Sequence, residues 1–121
     1  MDANKPQSQR QIQIGLEIRS IAQDFFQRES SGASLITVTR AEVSPDMRQG
    51  TIFITILPED KEDAALDFAK RMRTDLRHTI MKRLPVKVIP FLEVEIDYGE
   101  KNRQHIDSLL RESKKQEKGL K

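Results

Sequence analysis

Apolar residues along this chain recur first at helical spacing, then at strand spacing, then at helical spacing again. From Gln9 to about Glu29, Ile14, Ile18, Ile21, Ala22 and Phe25 stand three or four apart, with Leu16 and Phe26 beside them. That is the signature of one buried helix face. Gly15 weakens the first turns by about 1 kcal/mol relative to alanine, and Ser30-Ser31-Gly32 stops the helix. Leu35 to Val43 and Thr51 to Leu57 are rich in β-branched residues, which favour a pleated, half-buried surface. Ser44-Pro45-Asp46 and Gln49-Gly50 lie between them and supply turn chemistry. The two runs therefore predict an antiparallel hairpin with a longer loop. Pro58 ends the second strand. Glu59, Asp60, Glu62 and Asp63 then put negative charge where the positive end of a helix dipole begins.

The next stretch, Ala64 to Lys87, reads AALDFAKRMRTDLRHTIMKRLPVK. Wound at about 100° per residue, it puts Ala65, Phe68, Ala69, Met72, Leu76 and Ile80 on one arc. Lys70, Arg71, Arg73, Arg77, His78 and Lys82 fall on the remaining surface. This predicts one long helix, greasy on one face and cationic on the other. From Lys70 to Lys87 there are seven Lys or Arg and one acid, Asp75, so seven less one leaves +6 locally in a chain whose total is +2. A charge run of this kind is commonly a solvated face; the sharper reading is a surface for phosphates.

Pro85 stops that helix. From Val86 to Asp97 the pattern alternates, with Val88, Pro90, Leu92, Val94 and Ile96 facing one way and Lys87, Ile89, Phe91, Glu93, Glu95 and Asp97 the other. This predicts a third strand with one buried face, and Pro90 favours an edge position or a bulge. Ile106, Leu109 and Leu110 suggest a short helical turn against the body. The order is α–β–β–α–β, an α+β domain whose three-stranded sheet carries its helices on one face. Residues 1–8 and 111–121 read as flexible tails, which leaves 9–110 as the one domain.

Composition narrows the chemistry. There is no cysteine, so disulfide frameworks and thiolate zinc sites are excluded. No apolar run reaches signal-peptide or membrane-span length, and the expectation is a cytoplasmic protein. His78 and His105 are the only histidines. Neither has an evident partner, and both read as surface residues. Glu93, Glu95 and Asp97 line one strand face at i, i+2, i+4, a row able to bind a cation but expected to be a solvated edge. No phosphate loop, dinucleotide fingerprint, zinc-protease motif or nucleophile elbow occurs. The expectation is no enzyme, no cofactor and no small-molecule substrate. Phe25, Phe53 and Phe68 read as core and Phe91 and Tyr98 as partly exposed, so an aromatic platform for bases is not evident.

The segments ITVTRAEVSPDMRQGTIFITIL and LRHTIMKRLPVKVIPFLEVEID resemble the bacterial ribosome-binding factor A family. Val43-Ser44-Pro45-Asp46 matches its V-S-x-D turn, Val88-Ile89-Pro90-x-Leu92 its V-P-x-L strand entry, Arg77 a position that tends to be arginine, and Asp97 its strand-ending aspartate. Ile106-Asp107-Ser108-Leu109-Leu110 is similar to its closing turn, and the likeness covers roughly 10–110. The resemblance implies a KH-like domain that binds the small (30S) ribosomal subunit through its 16S rRNA. It implies a non-catalytic role in late maturation, including processing of the 5′ end. The family carries a helical kink with an Ala-x-Gly motif, which falls here on Met72-Arg73-Thr74. With neither alanine nor glycine present, a straighter helix or a bend near Thr74-Asp75 is expected.

The RNA contact expected on this reading is Lys70, Arg71, Arg73, Arg77, His78 and Lys82, flanked by Lys87, in a monomer. Reversing Arg73 and Arg77 to glutamate should then abolish association with small subunits while leaving the fold intact. The alternative is a protein–protein adaptor that docks an acidic partner through the basic helix, with Ile89 and Phe91 adding apolar contact.

Overall fold

The computed structural model describes residues 6–30 and 32–119. Helix α1 (Gln9–Glu29) is followed by strands β1 (Leu35–Val43) and β2 (Gln49–Leu57). Helices α2 (Glu62–Arg71) and α3 (Arg73–Arg83), strand β3 (Phe91–Ile96) and helix α4 (Tyr98–Gly119) complete the chain. The sheet order is β1-β2-β3. The hairpin β1/β2 is antiparallel, as predicted, and β3 returns parallel to β2. The parallel return is possible because α2 and α3 supply the crossover that a parallel pair requires. The core lies between one sheet face and the helices. Ile18, Ala22 and Phe26 of α1, Ala69 of α2, and Leu76 and Ile80 of α3 close over Val38, Ile52, Ile54 and Val94 of the sheet.

Local chemistry explains the boundaries. Ser8 caps α1 in a reciprocal box: its hydroxyl accepts from the Gln11 amide at 3.1 Å, and the Gln11 side chain accepts from the Ser8 amide at 2.9 Å. Such boxes satisfy two otherwise orphaned donors. Residues 1–5 of the expected N-terminal tail lie outside the described residues. Gly32 ends the turn after α1 with φ of 83°, a conformation that glycine reaches without cost.

Several expectations need correction. The stretch 64–87 is two helices, broken at Met72, whose φ of −86° and ψ of 4° leave the helical region. The bend therefore falls on the family motif itself and not near Thr74-Asp75, and it forms without glycine. The third strand starts at Phe91 rather than Val86. Before it, Val88 is exposed and Ile89 is buried, so the alternation fails across Pro90. Strand β1 contains a bulge at Thr39. The extra residue shifts the inward positions from even to odd numbers and turns Arg40 to the open face. Phe53 is not core; it is half-buried on that open face beneath Arg40. The closing turn is the long helix α4, and Ile106, Leu109 and Leu110 are each more than half exposed rather than packed on the body.

Candidate nucleic-acid interface

The break at Met72 divides the expected cationic arc between two helices. Backbone bonding continues on either side of it: Met72 donates to the Phe68 carbonyl at 3.1 Å and accepts from the Leu76 amide at 2.9 Å. The carbonyl of Lys70, near the end of α2, is taken by the Arg73 side chain, whose Nε donates to it at 2.9 Å. An arginine side chain thus adds a donor to a helix-end carbonyl that the Met72 amide also approaches. The same guanidinium pairs with Glu93 at 3.0 Å. Glu93 lies on the open sheet face and β3 is the edge strand, so Arg73 reaches past the edge of the sheet to meet it.

Arg77 is tied down more firmly. Its Nε donates to the Pro90 carbonyl at 3.2 Å and its Nη2 to the Ile89 carbonyl at 3.0 Å. Its guanidinium lies 4.7 Å from the centroid of the Phe91 ring, within cation–π range. This side chain fixes the 84–90 connection to α3 and directs the entry of the chain into β3. The double reversal of Arg73 and Arg77 should therefore perturb the fold as well, because both cations hold backbone carbonyls.

The remaining predicted contacts stand differently. The side chains of Lys70, Arg71, His78, Lys82 and Lys87 are exposed and carry no hydrogen bond or ion pair among the described residues. Lys70 and Arg71 are in the last turn of α2, His78 and Lys82 on α3, and Lys87 in the connection to β3. Lys70, Arg71, Lys82 and Lys87 form a free cationic set around the framework arginines, with His78 beside them. Arg83 is diverted to Asp24 at 3.3 Å. Among the described residues, no group of three or more His, Asp or Glu is placed to hold a metal, and no helix is long and apolar enough to cross a membrane.

A second constellation escaped the sequence reading. The guanidinium of Arg40 stacks on Phe53 at 4.0 Å and pairs with Glu42. Its Nε also lies 3.4 Å from Oδ2 of Asp97. Asp97 is buried; it accepts from the Thr39 hydroxyl at 2.6 Å and from the Glu100 amide at 3.0 Å. Burial works against the Asp97 charge, but the Thr39 hydroxyl, the Glu100 amide and Arg40 together hold its carboxyl below the usual range. The only signal for this cluster would have been the bulge, and β-branched runs do not announce bulges.

The family model for ribosome-binding factor A matches residues 9–110, the whole stretch from α1 into α4. The chain belongs to the ribosome-binding factor A family. It is 32% identical to ribosome-binding factor A of Rhodospirillum rubrum over 114 residues, covering 89% of this chain and 69% of that protein. It is 35% identical to the one from Paramagnetospirillum magneticum over 111 residues, covering 88% and 78%. The crystal structure of ribosome-binding factor A from Thermus thermophilus superposes with a TM-score of 0.64 at 18% identity, over 71% of this chain and 94% of that one. A Thermus thermophilus homology model fitted into a cryo-EM map of a 30S complex superposes with a TM-score of 0.60 at 20% identity, over 67% and 88%. Both show the KH-like α+β fold of the family, with the bend between its two central helices here resting on Arg73.

Proposed function

We propose that this chain binds the small ribosomal subunit through its 16S rRNA and assists late maturation, including 5′-end processing, without catalysing a reaction itself. The observation that carries the reading is the set of unpaired cations on the α2–α3 unit of a ribosome-binding factor A fold. A relative with that name is fitted in a map of a 30S complex, which supports the small subunit as the partner. Lys70, Arg71, His78 and Lys82, flanked by Lys87, would meet phosphates directly. Arg73 and Arg77 would hold the surface in shape and add contacts at its edge. The site works in the cytoplasm, and a single copy of the chain suffices.

Phosphate contacts of this kind weaken steeply with salt, because binding releases condensed counterions. Reversing Lys70, Arg71 and Lys82 to glutamate should abolish co-sedimentation with free small subunits on a sucrose gradient at physiological salt. Single changes to glutamine should lower the slope of log affinity against log salt by about 1 each. A triple variant that travels with small subunits as the parent does removes these residues from the interface. Association that survives thorough nuclease digestion of the rRNA favours a protein partner instead.

A further inference from the structure

A cleft lies away from the α2–α3 bend. Its volume is about 600 Å³, within the roughly 300–1,000 Å³ typical of ligand sites. It opens where the N-terminus of α1, the β1–β2 turn and the 84–90 connection meet at one end of the sheet. Ile14, Met47 and Val86, partly buried against the core, make an apolar floor, and Arg10, Lys87 and Val88 are the more exposed lining residues. Val88 is 47% exposed, an apolar side chain at an open mouth. Arg10 and Lys87 carry no partner among the described residues.

We propose that this cleft docks an extended protein segment in which apolar side chains alternate with carboxylates. The proposal goes beyond the rRNA reading and needs none of its contacts except Lys87, a flank there. Charge complementarity selects the partner. The lining presents two cations, Arg10 and Lys87, against one acid, Asp46, a net of one positive charge. The Asp46 carboxylate accepts from the Ser44 hydroxyl at 2.6 Å and from the Arg48 amide at 3.1 Å. An acidic segment therefore meets net positive charge over an apolar floor, the arrangement of a small recognition site. The floor is aliphatic, with a methionine and prolines and no aromatic ring, so it lacks the stacking surface by which single-stranded bases are held.

The test uses the full chain and a random dodecapeptide library displayed on phage. Enriched peptides should carry apolar residues beside Asp or Glu and should shift the amide resonances of Met47, Val86 and Val88. R10E and V88E, both at exposed or half-exposed positions outside the rRNA set, should each weaken those peptides at least tenfold while melting as the parent does. Enrichment of basic or neutral peptides, no enrichment, or unchanged binding by both variants overturns the proposal. So does hexauridylate that shifts the same amides more tightly than the peptides, which would make the cleft a nucleic-acid site. Because the assay contains no ribosome, its outcome is separate from that of the small-subunit experiment.

Discussion

Asp97 connects three parts of the molecule with one carboxylate. Oδ1 accepts from the Glu100 amide and caps α4, while Oδ2 holds the Thr39 hydroxyl of the β1 bulge and faces Arg40. Losing a helix cap costs about 1 kcal/mol, and a hydrogen bond to a charged group is worth about 1.5–3 kcal/mol. Asp97→Ala should therefore destabilise the domain by roughly 2–4 kcal/mol in urea unfolding. The pH dependence has a defined sign. The folded pKa lies below the unfolded value of about 3.9, so the charge stabilises the fold above that value. The contribution is lost as pH falls through the folded pKa. The stability gap between the parent and Asp97→Asn should thus narrow as pH is lowered from 5 toward about 2. A gap that stays constant over that range would mean that the charge of Asp97 does not matter. The sequence places Asp97 at the end of a strand and on a face expected to be solvated, whereas Asp97 is buried. Its partners, at positions 39, 40 and 100, meet through a bulge that no periodicity reveals.

At the scale of elements, α1 serves as a neighbour for the free edge of β1. Its Gln23 side chain accepts from the Val38 amide at 2.7 Å and donates to the Ile36 carbonyl at 3.3 Å. Arg19 donates to the Val38 carbonyl at 3.2 Å and Gln11 to the Val43 carbonyl at 3.0 Å. Gln11, Gly15, Arg19 and Gln23 form one stripe four residues apart. An edge strand with open amides and carbonyls invites unwanted pairing, and this stripe occupies them. Gly15 is the point of closest approach: a Cβ there would lie 2.5 Å from the Ala41 carbonyl oxygen. The sequence reading charged Gly15 with a helix penalty, whereas the structure requires it for contact. Gly15→Ala gains up to about 1 kcal/mol of helix propensity, but it forces a backbone shift of the kind that costs about 1–3 kcal/mol. The variant should melt below the parent, and a higher melting temperature would disprove the contact. The apolar face of α1, the hairpin and the order of elements were legible because burial follows period. The polar stripe was not, because its partners are backbone groups that carry no sequence signature.

Over the whole molecule, the cations of the α2–α3 unit divide into framework and free sets, a division that charge counting cannot make. Seven Lys or Arg between Lys70 and Lys87 look alike in sequence. In the fold, Arg73 and Arg77 hold three backbone carbonyls, those of Lys70, Pro90 and Ile89, and reach the open sheet face at Glu93 and Phe91. They fasten the bent crossover to the edge strand that it feeds. The two sets should therefore separate in a stability measurement made without any ligand. Arg77→Gln removes charge-assisted bonds in a half-buried setting, so a loss of about 1–2 kcal/mol is expected. Amide exchange should also quicken across 84–91, the segment that Arg77 restrains. Lys70→Gln, Arg71→Gln and Lys82→Gln touch only solvent and should stay within about 0.5 kcal/mol of the parent. Their effect should appear only in association with small subunits, whereas Arg77→Gln should lower both stability and association. If Arg77→Gln is as stable as the parent with exchange unchanged over 84–91, the clasp is not what orients the surface. The bend at Met72 is held separately, by Arg73 on the Lys70 carbonyl, and should persist in Arg77→Gln in either case.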